Sequence, residues 1–157
     1  LMELHYAAAA IHAVVVNINI HLAPQELAHQ IRDSDPCMIF VETEFENTLK
    51  EALNLCDDGN LKSVIWIGKT GTFDSELDLR CNQDHYGNCM KGDAVGIVED
   101  YVERMKEEFS EEDVFHMYYT SGTTGKAKGA TLSHRIVYMH AEAAIEGQCS
   151  LSYVLFC

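Results

Sequence analysis

Four short apolar runs punctuate the chain, and polar stretches with helical periodicity separate them. Ala13-Val14-Val15-Val16 is β-branched and bounded by polar residues, the pattern of a buried strand ending near Asn19. Cys37-Met-Ile-Phe-Val41 and Ser63-Val-Ile-Trp-Ile67 repeat that pattern, the latter closed by Gly68. Residues 114–119 supply a fourth strand. Between them, Pro24 marks a helix start, Glu26 favours the positive end of its dipole, and Leu27 and Ile31 form its stripe. Thr43-x-x-Glu46 reads as a capping box that opens a second helix, with Phe45, Leu49, Ala52, Leu53 and Cys56 on one face. Ile97, Val98, Tyr101, Val102 and Met105 predict a helix over 97–108. Ser133 as N-cap and Gly147 as terminator predict a last one over about 135–146. Residues 69–96 are polar, glycine-bearing and aperiodic, and read as a variable loop. The alternation predicts an α/β fold, a partial parallel sheet with helices on both faces. Such sheets bind ligands beyond the carboxyl ends of their strands, so the site should follow the fourth strand.

Composition narrows the function classes. Hydrophobic residues make up 47% and charged residues 23% of the 157, the balance of a globular protein. The formal charge is −14, which makes nucleic acid and anionic membranes poor partners. The charge is uneven: residues 33–116 carry a net −14, whereas residues 117–157 carry +1 and place their lysines together. Residues 1–16 are apolar, but Glu3, His5 and His12 interrupt them, and they are too short for a transmembrane span. They also lack the basic start of a signal peptide. The chain opens on Leu1, so a longer reading frame is expected. The six cysteines form no CxxC pair and read as reduced thiols. The expected location is cytoplasmic, with a peroxisome or another organelle left open. Cys81, His85 and Cys89 share a four-residue spacing, but their loop composition and missing fourth ligand favour an exposed loop over zinc, and no metal site is assigned.

The chemistry concentrates after the fourth strand, in Tyr119-Thr-Ser-Gly-Thr-Thr-Gly-Lys-Ala-Lys-Gly129. Thr120, Ser121, Thr123 and Thr124 bring hydroxyls, Gly122, Gly125 and Gly129 interleave, and Lys126 and Lys128 close the stretch. Glycines let backbone N–H groups turn toward an anion, hydroxyls donate further bonds, and ammonium groups neutralise charge. The spacing is neither that of a Walker-A loop nor of a dinucleotide fingerprint. A flexible Ser/Thr/Gly loop would share the composition, though not the whole string. Tyr118 and Tyr119 read as strand-end core rather than as adenine-stacking groups. His134 and His140 read as structural or solvent-facing, and Ser121 has no partner base of a triad type.

That string, continued by Ala130-Thr-Leu-Ser-His134, resembles the phosphate-loop signature of the adenylate-forming (AMP-binding) superfamily, Y-T-S-G-T-T-G-x-P-K-G-V followed by S-H. The superfamily includes acyl-CoA synthetases, luciferases and the adenylation domains of peptide synthetases. Val16-Asn-Ile-Asn-Ile-His-Leu-Ala-Pro-Gln-Glu-Leu27 resembles an upstream segment, V-N-x-N-x-R-L-x-P-x-E-L, of acyl-CoA synthetases. The resemblance spans most of residues 1–147 and implies a slice of a large N-terminal domain, with no C-terminal domain in this stretch. It implies an acid–thiol ligase: a carboxylate attacks the α-phosphate of Mg2+-bound ATP, pyrophosphate leaves, and coenzyme A or a carrier-protein thiol takes the acyl group. It assigns the phosphates to Thr120, Ser121, Gly122, Thr123, Thr124, Gly125 and Lys128, with Lys128 the catalytic candidate. Ala127 stands where the family has proline, Ala130 where it has valine, and His21 where it has arginine. After Gly147 the likeness fades.

The resemblance places the adenine-binding, acyl-binding and C-terminal lysine segments beyond Cys157. This chain alone is therefore expected not to form acyl-adenylate. With sheet edges uncovered, it is also expected to be poorly soluble. A fatty, aromatic or short-chain acid is equally open as substrate. The alternative function is a truncated or pseudoenzyme form that at most binds nucleotide or a partner. An unrelated phosphate-binding module would not bring the upstream segment along.

Overall fold

The computed structural model describes residues 2–56, 59–68, 82–85, 109–120 and 126–145, with 82–85 described by backbone alone. The elements in chain order are α1 (Met2–Ala10), β1 (Val15–Asn17), α2 (Pro24–Ser34), β2 (Met38–Glu42), a 3-10 turn (Thr43–Phe45), α3 (Glu46–Asn54), β3 (Ser63–Ile67), β4 (Asn82–His85), β5 (Val114–Thr120), β6 (Lys128–Ser133) and a final helix, α4 (His134–Ile145). They fall into two compact units, Ile20–Asp93 and the pair of segments Leu1–Asn19 with Ala94–Cys157.

In the unit formed by Ile20–Asp93, β2, β3 and β4 make a parallel sheet in that order. α2 starts with Pro24, whose missing N–H is no loss in a first turn. The Glu26 carboxylate accepts the Ala23 N–H at 3.0 Å. Asp35 ends the helix in the left-handed region, donates its N–H to Ile31 O, and accepts two hydrogen bonds from Asn60. The left-handed turn closes off the helix carbonyls and aims the chain into β2.

The core of this unit is Ala28 and Ile31 of α2, Leu49 and Ala52 of α3, and Val64 and Trp66 of β3. Ile39 and Val41 pack against it from β2, while Met38 and Phe40 on alternate positions are exposed. Period-two alternation therefore turns one face of β2 to the helices. β3, hydrogen-bonded on both edges, buries Val64, Ile65 and Trp66 in succession.

The Thr43–Glu46 capping box does not form as expected. Thr43 opens the 3-10 turn, and α3 begins at Glu46 with Phe45 as an N-cap that makes no side-chain bond. Thr43 sits against Gly68, where an added Cβ would lie 2.9 Å from Thr43 Oγ1. β4 lies within the stretch read as a loop, and its strand identity comes from pairing with β3 rather than from its own polar sequence.

The other unit holds α1, β1, β5, β6 and α4, with sheet order β1–β5–β6. β1 runs parallel to β5, and β6 runs antiparallel to it. Parallel pairing thus holds for β1–β5, β2–β3 and β3–β4, and β6 adds a strand that the sequence pattern did not reveal. Its sequence, Lys-Gly-Ala-Thr-Leu-Ser, has no apolar run, and only Ser133 in it is buried. α1 was likewise absent from the sequence reading. It has no apolar stripe for a periodicity search to find, because Ala7 to Ala10 are uniform around the helix. The helix predicted over 97–108, Cys81 and Cys89 lie outside the described residues. No described helix is long and apolar enough to cross a membrane.

Trp66 is the chain's single tryptophan and fully buried, so its fluorescence reports this core. Leu49→Ala should lower unfolding stability by roughly 2–5 kcal/mol, read from Trp66 emission in a urea titration. A loss under about 0.5 kcal/mol would mean that Leu49 is not packed as described. Gly68 has φ +141°, outside the range that L side chains adopt readily. Gly68→Ala should cost about 1–3 kcal/mol, and Thr43→Ala in the same chain should recover only the part due to the Oγ1 clash.

Candidate functional site: the mouth of the β5–β6 strand pair

β5 ends at Thr120 and β6 begins at Lys128, and the two residues are register partners. The Thr120 hydroxyl donates to the Lys128 carbonyl at 3.4 Å. Thr120 and Lys128, which flank residues 121–125 in the sequence, therefore lie side by side in the sheet. That pair lies at the carboxyl end of β5. β1 is parallel to β5 and ends beside it, with Asn17 opposite Tyr118. Thr120, Lys126 and Lys128 are all exposed, so a hydroxyl and two ammonium groups stand at one end of the sheet in contact with solvent.

The strands below this mouth are fixed by packing. Tyr119 pairs with Gly129, and Tyr118 with Ala130. A Cβ on Gly129 would come within 3.0 Å of Met117 Sδ and 3.6 Å of Tyr119 Cε1. The absence of a side chain at Gly129 lets Met117 and Tyr119 lie across β6. Tyr118 and Tyr119 are partly buried strand residues, as expected, and the Tyr118 hydroxyl meets His116 Nδ1 at 3.3 Å.

At the far end of β6, α4 begins at His134 with its first N–H groups satisfied from outside the helix. His134 N–H donates to Asp113 O, Arg135 N–H to Glu111 O, and Ile136 N–H to Ser133 Oγ at 3.4 Å. Ser133 is thus the N-cap predicted for it. The turn before β5 in this way anchors the helix after β6. Arg135 also pairs with Glu112 at 2.8 Å across the same turn, which raises its already high pKa.

A register shift between Val114 and His116 breaks the alternation of β5. Phe115 and His116 are consecutive yet both buried, their rings stacked at 4.1 Å. Phe115 also stacks on His134 at 4.4 Å, and His5 meets His116 edge-on at 5.2 Å. His12 lies 6.1 Å from His134, and its Nε2 is 3.0 Å from Asp113 Oδ2. Burial pushes the His116 imidazole below its usual pKa, and His5 and His134 push the same way. Burial and His12 lower His134, with Asp113 partly opposing. His134 packs against Phe109 and Phe115, and His140 is exposed. The clustering of imidazoles was not legible, because their positions along the chain share no spacing.

Of the residues assigned to phosphate, the structure brings Thr120 and Lys128 together, while Ser121, Gly122, Thr123, Thr124 and Gly125 lie outside the described residues. The sequence reading missed Asn17 as an individual residue. Its Nδ2 is buried without a hydrogen-bond partner at the carboxyl end of β1, and the V-N-x-N segment was its only signal. Among the described residues no group of three or more His, Cys, Asp or Glu side chains could hold a metal ion.

Comparison with known proteins gives this geometry a setting. Over 155 residues the chain is 33% identical to a peroxisomal benzoate–CoA ligase of Arabidopsis thaliana, covering 94% of this chain and 25% of that protein. It is 31% identical over 142 residues to 4-hydroxybutyrate–CoA ligase 2 of Metallosphaera sedula, covering 90% of this chain and 24% of the relative. The chain thus spans about a quarter of the length of these relatives. Its fold matches a putative long-chain-fatty-acid CoA ligase from Rhodopseudomonas palustris with a TM-score of 0.63 at 19% identity, over 93% of this chain and 32% of that one. It matches the anthranilate CoA ligase AuaEII at a TM-score of 0.60 and 21% identity, over 88% of this chain and 23% of that one. The family model for AMP-binding enzymes matches residues 1–154. With that match reaching from the first residue almost to the last, the chain belongs to the AMP-binding enzyme family.

Proposed function

We propose that this chain supplies the ATP polyphosphate-binding end of an AMP-forming acid–thiol ligase, one that activates a carboxylic acid as acyl-adenylate and passes it to coenzyme A. The observation that carries the reading is the pairing of Thr120 with Lys128 at the carboxyl end of the parallel strands. This pair flanks the hydroxyl- and glycine-rich stretch in the sequence. The relatives named as CoA ligases support the same chemistry.

The donor set fits a polyanion. The Thr120 hydroxyl and the ammonium groups of Lys126 and Lys128 are exposed, in the one region of an acidic chain that is not acidic. In this reading Thr120, Ser121, Gly122, Thr123, Thr124, Gly125 and Lys128 hold the β- and γ-phosphates. Pyrophosphate gains charge as it leaves, so donors fixed there stabilise the transition state more than the ground state. Holding the polyphosphate also orients the α-phosphate toward the incoming carboxylate. Mg2+, carried on the nucleotide, supplies further neutralisation of the phosphate oxygens. Selection among fatty, aromatic and short-chain acids is assigned to parts of the domain outside this chain. A cytoplasmic or peroxisomal setting is proposed, the second supported by the peroxisomal Arabidopsis relative.

Removing one charged donor from such a site costs about 1.5–3 kcal/mol, or roughly a 10- to 150-fold loss of affinity. Lys128→Ala should weaken MgATP binding by that factor in isothermal titration calorimetry, and Lys128→Arg should restore part of it. Equal affinity in wild type and Lys128→Ala would overturn the assignment. The chain alone should show no ATP–pyrophosphate exchange. Turnover that disappears in Lys128→Ala would instead show that these residues suffice for adenylation.

A further inference from the structure

His5, His12, His116 and His134 come from α1, the turn after it, β5 and the start of α4; Phe115 stacks on His116 and His134, His5 meets His116 edge-on, and Phe109 touches both His12 and His134. His116 is 8% exposed, and the Nε2 atoms of His116 and His134 are buried without a hydrogen-bond partner. A neutral imidazole tolerates this best in the tautomer with its proton on Nδ1, which leaves Nε2 as an acceptor without a donor. A protonated one becomes a buried cation with an unsatisfied N–H. The charged or titratable groups facing His116 are His5, His134 and the Tyr118 hydroxyl. Those facing His134 are His12 and Asp113, with the Arg135–Glu111–Glu112 ion pairs on the adjoining turn. Asp113 lies against His12 and also accepts the His134 backbone N–H through its carbonyl.

These contacts hold one end of the strand pair, the end opposite the Thr120–Lys128 mouth. His116 lies on β5 opposite Leu132 of β6, and His134 follows directly where β6 ends. We propose that the imidazole cluster is an acid-sensitive clasp on the β5–β6 strand pair, closed while His116 and His134 are neutral and loosened when they take up protons. The sign follows from linkage. Both groups prefer the neutral form in the fold, so the stability they contribute is present above about pH 6.5, the unfolded imidazole value. It is lost as pH falls from there toward the lowered folded values. The mouth at Thr120 and Lys128 belongs to the same ladder and should loosen with it. That last consequence rests on the phosphate reading above.

The test is amide hydrogen exchange of the protein without nucleotide, at about pH 7.5 and about pH 5.5, corrected for the intrinsic pH dependence of exchange. The expected result is a several-fold loss of protection in β5 and β6 at the lower pH, with β2 and β3 unchanged. In His116→Phe and in His134→Asn that pH-dependent loss should shrink. If either variant fails to fold, an NMR titration of the wild-type imidazole protons decides instead, and the loss of protection should track the His116 and His134 midpoints. Protection that is equal at both pH values, or a loss that persists in both variants, overturns the clasp. MgATP affinity at the two pH values separates the two readings. No binding at either pH refutes the phosphate site, and the exchange result decides the clasp independently.

Discussion

β5 is hydrogen-bonded on both edges, and the candidate site depends on that constraint. A buried strand must pair all its N–H and C=O groups, so β5 needs a partner on each side. One is β1, ninety-odd residues earlier in the chain and parallel to it; the other is β6, eight residues later and antiparallel. The parallel partner sets where the carboxyl end of the sheet lies. The antiparallel partner returns the chain to that same end. Together they bring Thr120 and Lys128, the residues on either side of the hydroxyl- and glycine-rich stretch in the sequence, to neighbouring positions.

The two units solve their cores differently. Around Trp66 the core is aliphatic and aromatic, with α2 and α3 laid on alternating side chains of β2 and β3. Around Phe115 the described core is aromatic and imidazole, arranged by a register shift that buries two consecutive residues. Aliphatic packing is indifferent to pH, whereas imidazole packing is not. The clasp proposed above belongs to the unit built around Phe115.

Much of the site was legible because it is contiguous. Thr120 and Lys128 lie eight positions apart in a string whose resemblance to a known phosphate loop is carried by residue order alone. The strands β2, β3 and β5 were legible as apolar runs, and α2 through Pro24 and its stripe. The 3-10 turn at Thr43 was not, since a capping-box pattern does not distinguish a 3-10 turn from the first turn of a helix. Nor were β4 and β6 readable, because their strand identity comes from the neighbour that pairs with them.

The amino-acid sequence by itself determined the alternation of strands and helices, the family and the donor chemistry of the stretch after β5. These follow from local periodicity and from residue order, both of which exist before folding. Only the tertiary structure decided that Lys128 begins a strand, that Gly129 makes room for Met117, and that Phe115 stacks on both His116 and His134. Such contacts join residues far apart in the chain, and backbone pairing and close packing create them only when the sheet assembles.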